Sequence, residues 1–478
     1  MPLILPGSAP APGPGYQIAN SCRFNDGDSS YVHKAFGTPT DNDKWTLSMW
    51  IKRGVIGVLQ NLMGCWVDGD HHTILRINAT DQLDWYDWDR PTAPKLVTNR
   101  VFRDPSAWYH IVIVYDSGNG TEGNRMQTWV NGVRETSFAT DNYPDADRTP
   151  LMNTSGNTVE IARRYDGGYF DGYMAEVVFI DGLALTPTSF GEYDSNSPTI
   201  WKPKDVSELT FGTNGFYLDF EDSANLGNDA NGGTDLTEVN LDATDQATDT
   251  PTNNFCTMNP LSLYHTNTPT LSQGNCRLSG TAAGEYGVTG TMGVSSGKWY
   301  FEMKKVSQDS GPDDDSERNV FGITAKPYGI LAGKYADPES WMLLGSSKIS
   351  NNSTEIASVG ASMLSDGGIL QCALDLDNNR VAFGHDDAWQ TGSSAFSGSY
   401  SDYESITAAA STISGFYFPV IGDNSGSRGY TMDANFGGCP PNAIASAAAD
   451  ENGYGTFEFA PPTGFLALCT KNLGSDGG

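Results

Sequence analysis

The chain has 478 residues, too many for one small hydrophobic core, so its length predicts at least two domains. Its 54 glycines, 25 prolines and 11% aromatic content, with 18% charged residues, favour short strands joined by turns and predict an all-β fold. Acidic residues outnumber basic ones 58 to 28, and the resulting charge of −30 repels nucleic acid and anionic lipid. We therefore expect no nucleic-acid partner and no membrane insertion. Alternatively, the charge only keeps the chain soluble.

The seven cysteines are widely spaced and form no CxxC pair. This pattern is typical of small buried apolar residues in a protein made in a reducing cytoplasm, and it indicates neither a disulfide framework nor a zinc site. The sequence shows no signal peptide and no apolar run of about eighteen residues. A function outside a cell would therefore require a route other than secretion.

Residues 1–15 are rich in Pro, Gly and Ala and predict an extended arm without a core of its own. Its apolar tip, Leu3, Ile4 and Leu5, is a candidate anchor onto a partner, the alternative being a flexible tail. From residue 16 onward, strand-like runs alternate with turn residues such as Asn131-Gly132, which suit a type I′ hairpin. We predict a first β domain over residues 16–220.

Two runs in this domain show how the strands are predicted. Residues 45–51 alternate apolar with small polar side chains, as a half-buried antiparallel strand does. Residues 108–115 are more continuously apolar, which favours a buried central strand. Residues 173–180 are a further strand, and Thr186-Pro187 predicts the start of a single helical turn.

The stretch DQLDWYDWDR, residues 81–90, combines three aromatic rings with four aspartates. Strand alternation places Leu83 and Trp85 on the core face, and Tyr86 and Trp88 on the opposite face with Asp84. Exposed aromatic rings stack on sugars and supply large contact area with few torsions to freeze. Tyr86 and Trp88 are therefore candidates for contact with a glycan or with another subunit.

A second aromatic stretch, RRYDGGYFDGY at residues 163–173, lies in a predicted Gly-rich loop. Rings in a loop are less readily explained by core packing than rings in a strand. We therefore take Arg164, Tyr165, Tyr169 and Phe170 as candidate ligand-binding residues. Surface packing or subunit contact is the alternative.

Residues 221–261 change character, because Asn, Asp, Thr and Gly dominate and apolar residues are sparse. This composition predicts a connector lying along a neighbouring surface. Strand patterns then resume and predict a second β domain over residues 262–478. Its predicted strands are residues 298–303, 320–324, 369–376, 381–383, 416–421, 457–459 and 465–469.

The first domain resembles the laminin G-like, concanavalin A-type jelly roll. The resemblance rests on CRFN at residues 22–25, the strand at 45–51, AWYHIV at 107–112, WVNG at 129–132 and FDGYMAEV at 170–177. It implies that residues 173–180 form the closing strand of a two-sheet sandwich.

The second domain resembles a SPRY-type sandwich. The matching residues are GKWYFE at 297–302, VFGI at 320–323, and LDLDN at 374–378 with VAF at 381–383. The chain departs from that family after the central hairpin, where Gly384-His385-Asp386 replaces the usual Asn-Gly. We therefore predict two tandem jelly-roll sandwiches, with the partner of that loop left unassigned.

Residues 212–220 and 249–255 resemble the join between such paired domains in virion proteins of tailed bacteriophages, especially marine ones. The resemblance implies a tail fibre or fibre tip, made in the host cytoplasm and located on the virion. It also implies that the N-terminal arm anchors to other virion proteins, that the chain forms a homo-oligomer, with a trimer favoured, and that it binds a host-surface glycan or protein.

Catalysis has little support in the sequence, which contains no GxSxG elbow, HExxH motif or P-loop. Our leading prediction is a non-enzymatic receptor-binding virion protein. One alternative is a structural capsid or tail decoration without receptor binding. A second is a polysaccharide-degrading tail protein, since 58 acidic residues can conceal the carboxylate pair that it needs.

No cofactor is predicted to be required, but a structural calcium ion is a candidate. Laminin G-like jelly rolls often carry calcium near the first and closing strands, and the resemblance implies Asp26, Asp28 and Glu176 as its ligands here. The alternative is that these residues are turn formers and a solvated strand residue. A transition metal at His71-His72 is disfavoured, because adjacent strand side chains point to opposite faces.

Overall fold

A computed structural model describes residues 15–475, except residues 90, 92, 166, 266–268, 281–285, 309–318, 328–336, 360–363, 391–395, 397–401 and 424–428, and the side chains of His265 and Ser475. The described residues form two compact units that divide between Thr252 and Asn253. Each unit pairs two large sheets whose strands are almost all antiparallel. The fold is therefore all-β, with two jelly-roll β-sandwiches in tandem, as predicted.

The strands of the N-terminal unit are short and closely spaced, as its glycine and turn content requires. In chain order they are β1 (Ser21–Phe24), β2 (Tyr31–Ala35), β3 (Lys44–Arg53), β4 (Gln60–Asp68), β5 (His71–Ile77), β6 (Gln82–Asp89), β7 (Lys95–Val101), β8 (Trp108–Asp116), β9 (Met126–Val130), β10 (Val133–Arg134), β11 (Phe138–Asn142), β12 (Thr158–Ile161), β13 (Gly172–Asp181), β14 (Gly191–Tyr193), β15 (Trp201–Pro203), β16 (Phe216–Leu218), β17 (Thr237–Val239) and β18 (Gln246–Ala247). Single 3-10 turns span Asp26–Asp28, Glu122–Asn124, Pro187–Ser189 and Ala243–Asp245.

Two sheets enclose the core of this unit. The first sheet has the order β10-β9-β8-β3-β13-β1-β18, with β16 also pairing to β13. The second sheet has the order β11-β7-β6-β5-β4-β12-β2-β17, and β14 and β15 form a separate hairpin. The strands from β3 to β13 are thus distributed over two packed sheets, and the chain passes from one sheet to the other several times, as in a jelly roll.

The alternation predicted for residues 45–51 is confirmed. Odd-numbered residues of β3 from Trp45 to Ile51 lie in the core, and even-numbered residues face away from it. Trp45 stacks on Tyr115 of β8, with ring centroids 5.7 Å apart, and meets Trp85 of β6 edge-on at 5.7 Å. Aromatic pairs of this kind add to the large apolar area that they bury, so this contact joins the two sheets at their centre.

The outward face of the first sheet is partly covered by the chain that follows β13. Phe190, Val206 and Phe211 pack against Val112 and Val178 and are buried with them. The predicted helical turn at Thr186-Pro187 is present as the 3-10 turn Pro187–Ser189. This covering layer also delivers the β14-β15 hairpin onto the first sheet.

The segment predicted as a connector is part of the N-terminal sandwich up to Thr252. Its strand β17 pairs with β2, and its strand β18 pairs with β1. These hydrogen bonds join residues about two hundred positions apart, and a local polar composition cannot reveal them. All seven cysteines of the chain are buried, as predicted.

The C-terminal unit contains strands β19 (Tyr264–His265), β20 (Thr270–Ser272), β21 (Arg277–Ser279), β22 (Tyr286–Thr289), β23 (Lys298–Gln308), β24 (Asn319–Thr324), β25 (Ser340–Leu344), β26 (Lys348–Asn351), β27 (Thr354–Ser358), β28 (Ile369–Asp375), β29 (Arg380–His385), β30 (Ala388–Trp389), β31 (Glu404–Ser405), β32 (Phe418–Asp423), β33 (Tyr430–Asn435) and β34 (Leu466–Ala467). Its described residues also form 3-10 turns at Pro260–Ser262 and Ala409–Ser411 and the helix α1 (Thr470–Ser475).

Its two sheets have the orders β19-β22-β32-β24-β25-β26-β27 and β20-β21-β33-β23-β28-β29-β30, with β31 and β34 pairing to β29 and β23. Most strands predicted for this domain are present. The strand predicted at residues 457–459 is absent, since Phe457 makes only an isolated bridge to Ala448. Glu302 of β23 instead accepts the backbone N–H groups of Glu458 and Phe459 through its buried carboxylate, which fixes this segment without a ladder.

Candidate functional site

The outer face of the second sheet carries a row of aromatic side chains from adjacent strands. The register places Trp66 of β4 opposite His72 of β5, and His72 opposite Trp88 of β6. The tight turn at Gly69 and Asp70 sets the first of these pairings. Because side chains directly opposite on neighbouring strands share a face, the three rings line up across the sheet.

A fourth ring joins this row from the loop after β12. Gly64 of β4 allows the loop to cross closely, since a Cβ atom at Gly64 would lie 3.0 Å from the Arg163 carbonyl oxygen. The chain then turns back, with Arg164 and Gly167 bonding to each other through their backbones. This tight turn holds Tyr165 beside Trp66.

The four rings, Tyr165, Trp66, His72 and Trp88, form what we call the aromatic ladder. Neighbouring centroids are 5.8, 4.7 and 6.3 Å apart, and the planes differ by 3°, 18° and 6°. His72 is buried and Trp66 half-buried, whereas Trp88 is 38% exposed and Tyr165 is 63% exposed. The ladder therefore presents its two terminal rings to solvent, held in place by the rings between them.

Cationic side chains lie against this surface. The Arg164 guanidinium lies 5.2 Å from the Trp66 ring centroid. Arg76 and Lys95 lie 5.1 and 5.2 Å from the Tyr86 ring, and both pair with the buried Asp84 carboxylate. The positive charges are thus tied to ring faces and to one aspartate.

Tyr86 supports the ladder but does not form its surface. It shares the face of Trp88, as predicted, yet it is only 7% exposed. Its ring meets His72 edge-on at 5.6 Å, and burial raises the pKa of its hydroxyl. Of the two rings proposed from DQLDWYDWDR, Trp88 is therefore placed for ligand contact and Tyr86 is placed beneath it. Trp85 lies in the core, as predicted.

Tyr169 belongs to a neighbouring cluster on β2 and β12. The Arg163 guanidinium lies 3.7 Å from the centroid of the Tyr31 ring and 5.8 Å from that of Tyr169. Tyr31 also stacks on His33 at 5.7 Å, and all three rings are half-buried. This cluster extends the aromatic surface along the second sheet.

Phe170 is corrected to a core residue. It has no exposed surface and packs among the central side chains of the N-terminal sandwich. The prediction of a loop position failed because Phe170 lies two residues before β13, where the chain already turns inward. Leu3, Ile4 and Leu5, the candidate anchor, lie outside the described residues.

Glu176, proposed as a calcium ligand, is engaged by other groups. It sits at a bulge in β13 with a left-handed backbone, φ 49°, where the register to β3 shifts. The Tyr217 hydroxyl donates to its carboxylate at 2.8 Å and the Tyr16 hydroxyl at 3.4 Å. Burial raises the pKa of Glu176 to about 8. Tyr16 and Tyr217 therefore already occupy the carboxyl that was predicted to bind calcium.

Asp26 and Asp28 are exposed and are not grouped with Glu176. Within the described residues, no cluster of three or more His, Cys, Asp and Glu side chains is arranged to hold a metal. Asp26 lies instead beside Asp171, which is fully buried and whose carboxyl interacts with the backbone and the side chain of Asp26. Burial and the Asp26 carboxylate raise the pKa of Asp171 to about 8. A calcium ion at this end of the sandwich would take its ligands from this pair.

Two residues of the ladder, Trp66 and His72, were not predicted as ligand-binding residues. Counting outward from the turn at Gly69 and Asp70 pairs Asp68 with His71 and then Val67 with His72. A bulge between Trp66 and Asp68 shifts the register and brings Trp66 opposite His72, so the sequence alone carries no signal for this pairing.

Comparisons with known proteins agree with this architecture. Residues 26–189, roughly a third of the chain, match a laminin G family of the concanavalin A-like lectin/glucanases superfamily. No curated protein sequence matches the chain. No helix among the described residues is both long enough and apolar enough to cross a bilayer.

Several solved structures are similar to parts of the chain. The SPRY domain of human HERC1 is 14% identical, with 37% of this chain and 96% of that one covered and a TM-score of 0.28. A protein from Bacteroides ovatus, described as a proposed carbohydrate-binding protein, is 18% identical, with 48% and 61% covered and a TM-score of 0.31. Domain 4 of the arabinanase AbnA from Geobacillus stearothermophilus, solved with arabinotriose, is 18% identical, with 33% and 69% covered and a TM-score of 0.27.

Proposed function

We propose that the chain is a non-enzymatic, glycan-binding virion protein, a tail fibre or fibre-tip component that attaches a tailed phage to its host. The observation that carries the binding role is the aromatic ladder, whose exposed rings Trp88 and Tyr165 are fixed in parallel planes by Trp66 and His72. Rings that are already ordered stack on a sugar face without a further loss of side-chain entropy.

The dimensions of the ladder favour an oligosaccharide over a single sugar. It crosses from β4 to β6, about 10 Å at the usual strand spacing, and it extends further through Tyr165. Exposed ring area at both ends supplies two stacking sites. The match of residues 26–189 to a superfamily named for lectins and glucanases supports a carbohydrate ligand.

The virion assignment rests on the resemblance of the paired domains and of the segment that joins them. It implies anchoring to other virion proteins through the N-terminal arm, a homotrimeric assembly and a host-surface receptor. Immunogold electron microscopy of virions tests the location: label at fibre tips supports attachment, whereas label across the capsid or tail supports the decoration alternative.

Competition with phage adsorption tests the function itself. Purified protein should reduce adsorption to host cells, and Trp88→Ala with Tyr165→Ala should not. Ile413→Ala is a suitable control, because Ile413 is 73% exposed and lies in the other unit. Equal competition by wild type and ladder variant would contradict the proposal, and sugar release from host polysaccharide would favour the degrading alternative.

A further inference from the structure

The outward face of the first sheet carries a cavity of about 250 Å³ that is separate from the aromatic ladder. Its lining includes three tryptophans, one tyrosine, one arginine and one asparagine, namely Trp50, Trp108, Trp201, Tyr193, Arg100 and Asn131. Tyr193 and Trp201 lie beyond residues 26–189, the part of the chain that matches the laminin G family. Part of the cavity wall therefore comes from outside the matched range.

Local pairings bring these side chains together. Trp50 of β3 and Trp108 of β8 come from adjacent strands of the sheet, since Trp50 pairs with His110 and Lys52 with Trp108. The β14-β15 hairpin supplies Tyr193 opposite Trp201, with their rings edge-on at 5.0 Å. The β9-β10 turn at Asn131 closes a further side.

Trp201 is locked into its position. Its indole N–H donates to His110 Nδ1 at 2.8 Å, and His110 Nε2 bonds the Ser48 hydroxyl at 2.8 Å. Complete burial lowers the pKa of His110 to about 3, so the imidazole is a neutral acceptor. The Trp201 ring also fits between two glycines: a Cβ atom would approach it to 2.5 Å at Gly132 and 2.6 Å at Gly191.

Trp108 is fixed by a different network. Its indole N–H donates to Asp249 at 3.1 Å, and the same carboxylate pairs with Lys52 at 2.6 Å. Lys52 and Asp249 are each 1% exposed. Two of the aromatic walls are therefore held by buried hydrogen bonds before any ligand arrives, which is the arrangement of a preformed binding site.

The polar groups of the cavity mostly donate hydrogen bonds. Glu135 takes only the Nε of Arg100, at 2.5 Å, and the terminal nitrogens of that guanidinium have no acceptor among the described residues. The Trp50 indole N–H and the Asn131 amide nitrogen likewise have none there. None of the described residues that line the cavity is acidic, although the chain carries a charge of −30.

From these features we propose that the cavity binds a carboxylate-bearing sugar unit, such as a hexuronic acid. The tryptophan walls stack on the sugar ring, and Arg100 pairs with the carboxylate. The proposal goes beyond the ladder, because a second site would let one domain hold a branched or extended acidic glycan at two places. The cavity proposal does not depend on whether the ladder binds a ligand.

Calorimetric titration of the full-length protein with glucuronic acid and with glucose, at millimolar concentration, tests this proposal. We expect glucuronic acid to bind about 10- to 100-fold more tightly than glucose, the usual effect of a charged hydrogen bond. Arg100→Gln should remove that preference. Its melting temperature is measured alongside, because the substitution also removes the charged partner of the buried Glu135 carboxylate. Tyr193→Ala, at a ring that is 45% exposed, should weaken both sugars.

A ladder variant keeps the two proposals distinct. Trp88→Ala with Tyr165→Ala should leave glucuronic acid binding intact. Equal affinity for the two sugars, or no binding of glucuronic acid, would overturn the cavity proposal and leave the ladder untouched. Loss of glucuronic acid binding in the ladder variant, with retention in Arg100→Gln and Tyr193→Ala, would also overturn it.

Discussion

The indole N–H of Trp108 donates to the Asp249 carboxylate across 141 positions of sequence. Asp249 also forms a 2.6 Å ion pair with Lys52, and both charged groups are buried. Asp249 therefore ties the Asn- and Asp-rich segment to the N-terminal sandwich. It also fixes the position of Trp108, which forms one wall of the cavity on the first sheet.

Asp249→Ala should destabilise the N-terminal unit strongly. The substitution leaves the Lys52 ammonium buried without its partner, for which a cost of about 3–5 kcal/mol is typical. The urea midpoint of the transition assigned to this unit measures the effect. Glu355→Gln is the control, since Glu355 forms an exposed pair with Lys348 and its loss should cost about 0–1 kcal/mol. Comparable costs for the two variants would contradict the structural role of Asp249.

The two tryptophans of DQLDWYDWDR should respond oppositely to replacement. Trp85→Ala removes a ring that is 1% exposed and packed on Trp45, and should cost about 3–5 kcal/mol. Trp88→Ala removes a ring from the solvent end of the ladder, and should cost less than about 1 kcal/mol. Denaturant unfolding of both variants measures this, and a larger loss for Trp88→Ala would mean that the ladder is structural.

The stability of the N-terminal unit should fall as pH rises from about 4 to 8. Burial and, for Asp171, the Asp26 carboxylate raise the pKa values of Asp171 and Glu176 to about 8, well above those of the unfolded chain. The folded state therefore holds these protons more tightly. Their contribution is fully present below about pH 4 and is lost towards pH 8.

Unfolding in the presence of a chelator at several pH values measures this dependence. Asp171→Asn and Glu176→Gln should each flatten the profile and raise stability at pH 8, whereas replacement of the exposed Asp141 by Asn should not. A profile that is unchanged in both buried variants would show that neither carboxyl is held neutral in the fold.

Calcium, if it binds, should do so through Asp26 and Asp171. The added ion should raise the melting temperature of the wild type by mass action, and Asp171→Asn should abolish that rise. Glu176→Gln should retain it, because Tyr16 and Tyr217 already occupy the Glu176 carboxyl. A rise that Glu176→Gln abolishes would favour the ligand set implied by the laminin G resemblance, and no rise in the wild type would exclude both.

The strand alternation was predictable from sequence because it is local. It correctly separated Trp85 from Trp88 and located the central strands β3, β8 and β13. The environment of Glu176 was not predictable, since a bulge shifts the register at that residue and the donors, Tyr16 and Tyr217, come from distant segments. Both faces of β13 carry apolar side chains, so the change of face that a one-residue bulge produces is not visible in its hydrophobic pattern.

Only some residues of the aromatic ladder, and none of the cavity, could be predicted from the sequence. Trp88, Arg164 and Tyr165 were predicted as candidates, and the structure places them on one surface with Trp66 and His72. The cavity that includes Trp201 could not be predicted, because its aromatic walls come from two strand pairs that are distant in sequence, β3 with β8 and β14 with β15, and depend on close approaches at Gly132 and Gly191. Such contacts arise from tertiary packing and have no local signature.

Binding to a glycan array tests the central claim most directly, with wild type, the variant carrying Trp88→Ala and Tyr165→Ala, and the Ile413→Ala control. The account predicts that wild type and control bind a shared set of oligosaccharides, and that the ladder variant binds them about 10-fold or more weakly, given two lost stacking contacts. Undiminished binding by the ladder variant, or no glycan binding by the wild type, would contradict it.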